Sequence, residues 1–240
     1  MAKRKVSGDS QRAPVGNRLL AALPEEERRR ILNGLDTVAL PVQRPIYKPG
    51  DAITYVYFPS DGFFSVLTVL RNGDMVEVTT VGSEGAIGAS VDGMRNSETS
   101  LTMVQGAMES CYRMPAQEYR REMKRGEGLF SVVTRYNQAL MGVVMQGTAC
   151  NAVHSIEQRL ARWLLMAHDR MAKDLFPLTQ EFLAMMLGAA RPTVTIVAGI
   201  LQRKGLITYR RGQLTVVDRK GLEQASCECY RATTNLLAIV

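Results

Sequence analysis

The chain has 240 residues, 46% hydrophobic and 22% charged, which is enough for one large domain or two modest ones with a real apolar core. Its 30 Lys and Arg against 23 Asp and Glu give a net charge of +7, which favours an anionic partner. No apolar run follows the basic start, and none approaches the roughly 18 residues of a spanning helix. A secretory signal and a membrane span are therefore excluded, and the expectation is a soluble, cytoplasmic protein with no membrane partner.

In chain order, residues 1–16 are polar and basic with Gly and Pro, and are expected to form a disordered arm. Asn17 to Leu35 has helical character, with Pro24 opening a new turn and Glu25-Glu26-Glu27 where the helix dipole favours acids. Short β-rich runs then follow from Val38 to Pro115: Ile53–Phe58, Phe63–Leu70, Met75–Val81, Leu101–Val104 and Glu109–Met114. Turn signals separate them at Gly50, Asp61-Gly62, Asn72-Gly73, Gly82 and Gly106. Asn-Gly between apolar runs is a strong hairpin signal, and many short, evenly spaced strands predict a jelly roll or sandwich.

A short helix over 116–123 precedes a long one over 128–152. Leu129, Val133, Tyr136, Leu140, Val143, Gly147 and Cys150 are spaced 4, 3, 4, 3, 4, 3 along it. That heptad period predicts a seam with a second copy of the helix, hence a homodimer. A second stripe, Phe130, Val132, Ala139 and Val144, is expected to pack on the jelly roll. Cys150 to His154 forms the hinge to the next helix, Ser155–Met171, with Ile156, Leu160, Trp163 and Leu164 inward. His154 beside the hinge is expected to be a surface or capping residue rather than a pH sensor.

The run from Leu178 to Ile207 predicts two short helices joined by a tight turn. Phe182, Leu183, Met186 and Leu187 share one face, Gly188 supplies the turn, and Val194, Val197, Ala198 and Leu201 share the next helical face. Two strands follow, with Arg210-Arg211-Gly212 between them. Asp218 is the expected N-cap of a last helix running through Leu222 and Cys227. Helix, turn, helix and basic hairpin make a winged helix-turn-helix, whose second helix suits a DNA major groove.

Leu178-Thr179, Leu183-Ala184, Leu187-Gly188, Arg191, Thr193-Val194, Leu201 and Gly205-Leu206-Ile207 follow the pattern of one known family. The segment resembles the DNA-binding domain of the Crp/Fnr bacterial transcription regulators, and the resemblance extends more weakly back to about Asn17. It implies an α+β chain. An N-terminal jelly roll of the cyclic-nucleotide-binding type (17–127) is followed by a dimerisation helix (128–152) and a C-terminal winged helix-turn-helix (153–240). It also implies a homodimer on double-stranded operator DNA, with RNA polymerase as a further partner and an effector acting through the jelly roll. The alternative is a ligand- or partner-binding jelly-roll module whose winged helix docks protein.

The resemblance makes Arg191 the first base-contacting candidate, since a guanidinium can meet O6 and N7 of guanine. Pro192 stands where some family members carry a cytosine-reading glutamate, and Ile196 where others carry arginine or serine; both offer apolar contact to thymine methyls. Thr179, Gln180 and Thr193 can bond phosphates, Thr195 a base or phosphate, and Arg203, Lys204, Arg210 and Arg211 add cationic contacts. A cyclic-nucleotide site needs an arginine for the phosphate and a glutamate for the ribose 2′-hydroxyl. The corresponding run, Gly82, Glu84, Gly85, Gly88 and Ala89 through Ser100, places Ala89 at the glutamate and Thr99 at the arginine. Arg95 substitutes only if the loop is re-registered. Glu84 is expected to be a turn residue, and cyclic AMP is not expected to be the effector.

No histidine precedes residue 154, so a metal oxygenase of the jelly-roll type is excluded and no enzyme is expected. Cys111, Cys150, Cys227 and Cys229 form no Cys-x-x-Cys pair, and four-ligand metal spacing is absent from the sequence. Cys227 and Cys229 on a helix would point in different directions, so ordinary reduced thiols and no cofactor are expected.

Overall fold

A computed structural model describes residues 16–89, 100–106, 108–171 and 173–238. Most of the predicted basic arm, residues 1–15, lies outside them, as do Arg95 and Thr99. The N-terminal unit contains α1 (Arg18–Ala21), α2 (Glu25–Asn33), β1 (Asp36–Leu40), β2 (Pro45–Tyr47), β3 (Tyr55–Pro59), β4 (Phe63–Val69), β5 (Met75–Val81), β6 (Leu101–Gly106), β7 (Met108–Pro115) and α3 (Ala116–Lys124). Two antiparallel sheets, ordered β1-β7-β3 and β2-β6-β4-β5, form the jelly roll. Their inner faces meet in a core built on Val56, Phe58, Phe64, Val104, Cys111 and Met114. The predicted hairpin at Asn72-Gly73 joins β4 to β5, with Gly73 at φ 88°. Strands β1 and β2 carry weak alternation and were not expected from the sequence.

The long helix α4 (Gly128–Val153) leads through the hinge to α5 (Ile156–Met171). Ser155 and Gln158 cap α5 reciprocally: the Gln158 N–H donates to Ser155 Oγ, and the Ser155 N–H to Gln158 Oε1. Then come β8 (Leu175–Pro177), α6 (Gln180–Leu187), α7 (Arg191–Arg203), β9 (Ile207–Arg210), β10 (Gln213–Val216), α8 (Arg219–Ala225) and α9 (Cys229–Leu237). Strand β8 was not expected; it pairs with β10 to make a three-stranded wing sheet, β8-β10-β9. Asp218 caps α8 as predicted, accepting from the Gly221 N–H at 2.9 Å. The helix ends at Ala225, however, so Cys227 sits in a connection before α9 and not on a helix as expected.

Burial places most of the predicted dimer seam inside the single chain. Leu129, Val133, Tyr136 and Val143 are at most 4% exposed within a single chain, because they face the jelly-roll core and β5; Leu140 is half-buried on the same core. Gly147 has no neighbour within 4 Å of an added Cβ, and of the bulky positions above it only Leu140 keeps part of its surface. The second stripe divides: Val132 and Ala139 pack inward, whereas Phe130 is 40% exposed and Val144 half-buried. The large apolar side chains α4 leaves in solvent are Phe130, Met141, Met145 and, at its last position, Val153. Beside that stripe, Gly142 leaves room for Leu236 of α9.

Candidate nucleic-acid interface

Helices α6 and α7 diverge by 102° about Gly188, which adopts φ 55°, ψ 41°. A side chain in that left-handed conformation costs energy, so the glycine sets the turn. Thr179 caps α6 by accepting from the Phe182 N–H at 3.1 Å. Phe182, Leu183, Met186 and Leu187 of α6 and Val194, Val197, Ala198 and Leu201 of α7 are buried together under α5. The opposite face of α7 is therefore held in solvent by packing, not by chance.

That face carries Arg191, Pro192, Thr195, Ile196 and Arg203, all exposed, with Thr193 half-buried beside them. Pro192 occupies the first turn of α7, where its missing N–H costs nothing. The Thr195 hydroxyl lies 2.9 Å from Gln180 Oε1 and 3.0 Å from the Arg191 carbonyl, so Thr195 and half-buried Gln180 tie the two helices together. Lys204 has a partner within the chain: its Nζ is 2.5 Å from Glu157 Oε1, so it fastens α7 to α5. Arg191, Arg203, Arg210 and Arg211 have no ion-pair partner among the described residues.

The wing turns on two residues, Arg211 at φ 52° and Gly212 at φ 74°. With Arg210 paired to Gln213 across the hairpin, this is the tight two-residue loop whose twist matches the strands. Burial raises the pKa of the Tyr209 phenol and the charge of nearby Arg191 opposes that rise, so β9 and the start of α7 are neighbours. Tyr209 Oη also donates to the Leu178 carbonyl at 2.8 Å, fixing the wing to the base of α6.

The jelly-roll turn has a different character. An added Cβ on Gly85 would lie 2.2 Å from Tyr136 Oη, and one on Gly82 would lie 2.7 Å from Arg170 Cδ. Gly88, at φ 78°, approaches the Tyr55 carbonyl. The described part of the candidate effector surface is thus covered by the chain's own α4 and α5. Glu84 is more than a turn residue: it is 6% exposed and paired with Arg170 at 2.6 Å. Burial alone would raise its carboxyl, but the Arg170 charge and hydrogen bonds from Arg170 and the Gly82 N–H hold it below the usual range. Ala89 packs half-buried on the jelly-roll core, and Ser100 is half-buried where the described chain resumes.

Sequence reasoning missed Arg170, Glu77 and the bridging role of Trp163. Trp163 lies edge-on to Phe63 of β4 at 6.2 Å and to Phe182 of α6 at 6.4 Å. Its Nε1 donates to Glu77 Oε1 at 2.7 Å, and Ser65 Oγ donates to Glu77 Oε2 at 2.6 Å. Burial pushes the Glu77 carboxyl up to about 7, against the opposing hydrogen bonds and the charges of Arg170 and Arg162. The only available signal was a lone Glu in an otherwise apolar and Thr-rich strand, Met75–Val81.

A Crp-like helix-turn-helix domain model matches residues 158–225. The transcriptional regulator SdrP of Thermus thermophilus is 34% identical over 79 residues, covering 30% of this chain; the match spans 39% of that relative. Among solved structures, a protein from Eubacterium rectale described as a Crp/Fnr-family transcriptional regulator superposes with a TM-score of 0.67 at 19% identity, covering 88% of this chain and 98% of that one. TTHB099 of Thermus thermophilus, a Crp-family transcriptional regulator, gives 0.64 at 19% identity, covering 79% and 96%. No single helix among the described residues is long and apolar enough to cross a membrane. The chain is Crp/Fnr-like: it has the fold of those regulators and carries a Crp-like helix-turn-helix domain at residues 158–225.

Proposed function

We propose that the chain is a sequence-specific DNA-binding transcription regulator that acts as a homodimer, with α7 as the recognition helix. The partition of α7 carries this reading. One face is buried to hold the helix rigid, and the other presents Arg191 at its N-terminal end beside a wing tipped by Arg210 and Arg211. Thr179, Gln180 and Thr195 position the helix, while Arg203 and the wing arginines meet phosphate. Pro192, Thr193 and Ile196 complete the base-facing surface. RNA polymerase and an effector acting through the jelly roll belong to the same reading. Cyclic AMP is not that effector, because Tyr136 and Arg170 cover the turn and Ala89 offers no carboxylate.

Selection of bound duplexes from a random pool tests the function. Arg191→Ala should weaken binding to the selected sequence by about 1–3 kcal/mol and relax one base position, whereas Arg210→Ala should weaken all duplexes alike. An unchanged preference in Arg191→Ala would remove α7 from the recognition role.

The dimer is assigned to the exposed stripe of α4, through Met141 and Met145, rather than to the buried heptad positions. Met145→Glu should split the dimer in sedimentation without lowering the folded fraction. Leu140→Glu, by contrast, should damage the fold itself. A wild-type chain that sediments as a monomer at micromolar concentration would remove the symmetric-operator part of the reading.

A further inference from the structure

The hinge and the C-terminal helix pair bring four metal-ligating side chains to one point. Cys150 and His154 are four residues apart at the end of α4 and share a face. Cys227 lies in the α8–α9 connection and Cys229 opens α9, so the two do not obey helical spacing and both turn toward the hinge. Cys150 Sγ is 3.5 Å from Cys227 Sγ, and Cys229 Sγ is 3.6 Å from His154 Nδ1. All four ligand atoms lie within 4.8 Å of one another, and the three thiols form a buried cluster of their own.

These separations have a specific meaning. A tetrahedral ion with sulfur at about 2.3 Å and nitrogen at about 2.0–2.1 Å sets ligand edges of roughly 3.8 Å between sulfurs and 3.5 Å between sulfur and nitrogen. An iron–sulfur cluster spreads its ligands over more than one iron and needs a wider cage. A disulfide would use two of the four groups and leave the other two unexplained.

The surroundings also suit a cation. His154 presents Nδ1 to the cysteines while its Nε2 lies 3.3 Å from Glu228 Oε1, the carboxylate–imidazole arrangement that orients a metal-bound histidine. Gln146 Nε2 donates to Cys229 Sγ at 3.0 Å, a contact that a metal-bound sulfur would keep. Arg159 and Arg162 of α5 are close enough for their charges to act on Cys150, and they offset the single negative charge left by three thiolates around a dication.

We propose that Cys150, His154, Cys227 and Cys229 form a closed, four-coordinate structural site for a thiophilic divalent cation of the zinc class. On binding, each of the three thiols releases a proton to solvent and the imidazole binds through neutral Nδ1. The site joins the end of α4 to the chain's last helix pair, and so fixes the hinge from which the winged helix is carried.

The test uses the full-length reduced chain. After dialysis against chelator and titration with zinc, one ion per chain should bind, and cobalt in its place should give the absorption of tetrahedral thiolate coordination. Glu228→Gln should fold normally and bind roughly 10–100-fold more weakly. Cys227→Ser should lose the thiolate-to-cobalt intensity of one ligand. Less than one ion per chain after titration, a cobalt spectrum without thiolate character, or a Cys227→Ser chain with the wild-type spectrum would each overturn the proposal. So would a Cys150–Cys227 disulfide that forms in air from a chain unable to hold zinc. None of these readouts depends on DNA binding.

Discussion

Helix α7 and the jelly-roll turn are both set by glycine, yet they differ in what lies against them. Gly188 turns the chain so that α7 keeps one face exposed, and no distant helix presses onto it. Gly82 and Gly85 turn the chain so that side chains from distant helices can press onto it: Tyr136 from 51 residues away and Arg170 from 88. The first glycine creates a surface; the other two admit a lid built from the chain itself. A glycine-rich turn is therefore evidence of close approach, and what approaches decides whether it is a ligand site or a domain contact. In this chain the turn belongs to the contact by which the jelly roll holds the DNA-binding half, through Glu84–Arg170 and Glu77–Trp163.

The largest effect should come from breaking that contact on one side only. Arg170→Met leaves the Glu84 carboxylate buried without its cation, at a cost of about 3–5 kcal/mol in urea unfolding. Glu84→Gln combined with Arg170→Met should recover most of it, because neither charge then remains buried. If Arg170→Met cost less than about 1 kcal/mol, the ion pair would not be holding the two halves. The equivalent one-sided change on α7, Arg191→Ala, should leave stability unchanged, because no buried partner is stranded.

Glu77 should give the next largest effect, and the comparison can be read with pH. Its carboxyl sits at about 7 in the folded chain, above its ordinary value of 4.5, so the native state holds a proton that the unfolded state has lost. Stability from this group is complete below about 4.5 and declines as pH rises through about 7, by an amount on the order of 3 kcal/mol. Glu84 runs the other way: its depressed pKa contributes stability at neutral pH that is lost on strong acidification. When protonated, Glu77 can donate to Ser65, freeing the Ser65 hydroxyl for Met186 of α6 at 3.7 Å. Glu77→Gln should flatten the difference in stability between about pH 5 and pH 7 relative to the wild type. An unchanged slope would place the titration elsewhere.

What was legible in the sequence follows the same division. The winged helix was readable because its determinants are local: Thr179 caps, Gly188 turns, Asp218 caps, and two arginines precede a glycine in the wing. The long helix was readable as a helix, but its partner was not. A heptad of Leu129, Val133, Tyr136 and Val143 looks the same whether it packs on a second copy or on the jelly roll, and only the tertiary fold separates the two. Arg170 and Glu77 carried no pattern because each is partnered across more than eighty residues. The cysteine–histidine cluster was excluded on spacing, and that reasoning failed at one residue: Ser226 ends α8, which frees Cys227 from helical geometry.

The smallest effect tests the surface side of the comparison. Arg211 holds φ 52° at the wing tip, a conformation that disfavours any side chain with a Cβ, in a two-residue turn where glycine fits better. Arg211→Gly should relieve the strain and hold or raise stability by up to about 1 kcal/mol. It should at the same time weaken binding to every duplex and lower the salt dependence by about one counterion. Arg211→Ala removes the same charge while keeping the strain, so it should match the glycine variant in binding and fall below it in stability. A glycine variant with unchanged affinity and salt slope would take the wing off the phosphate backbone and leave α7 as the sole proposed contact.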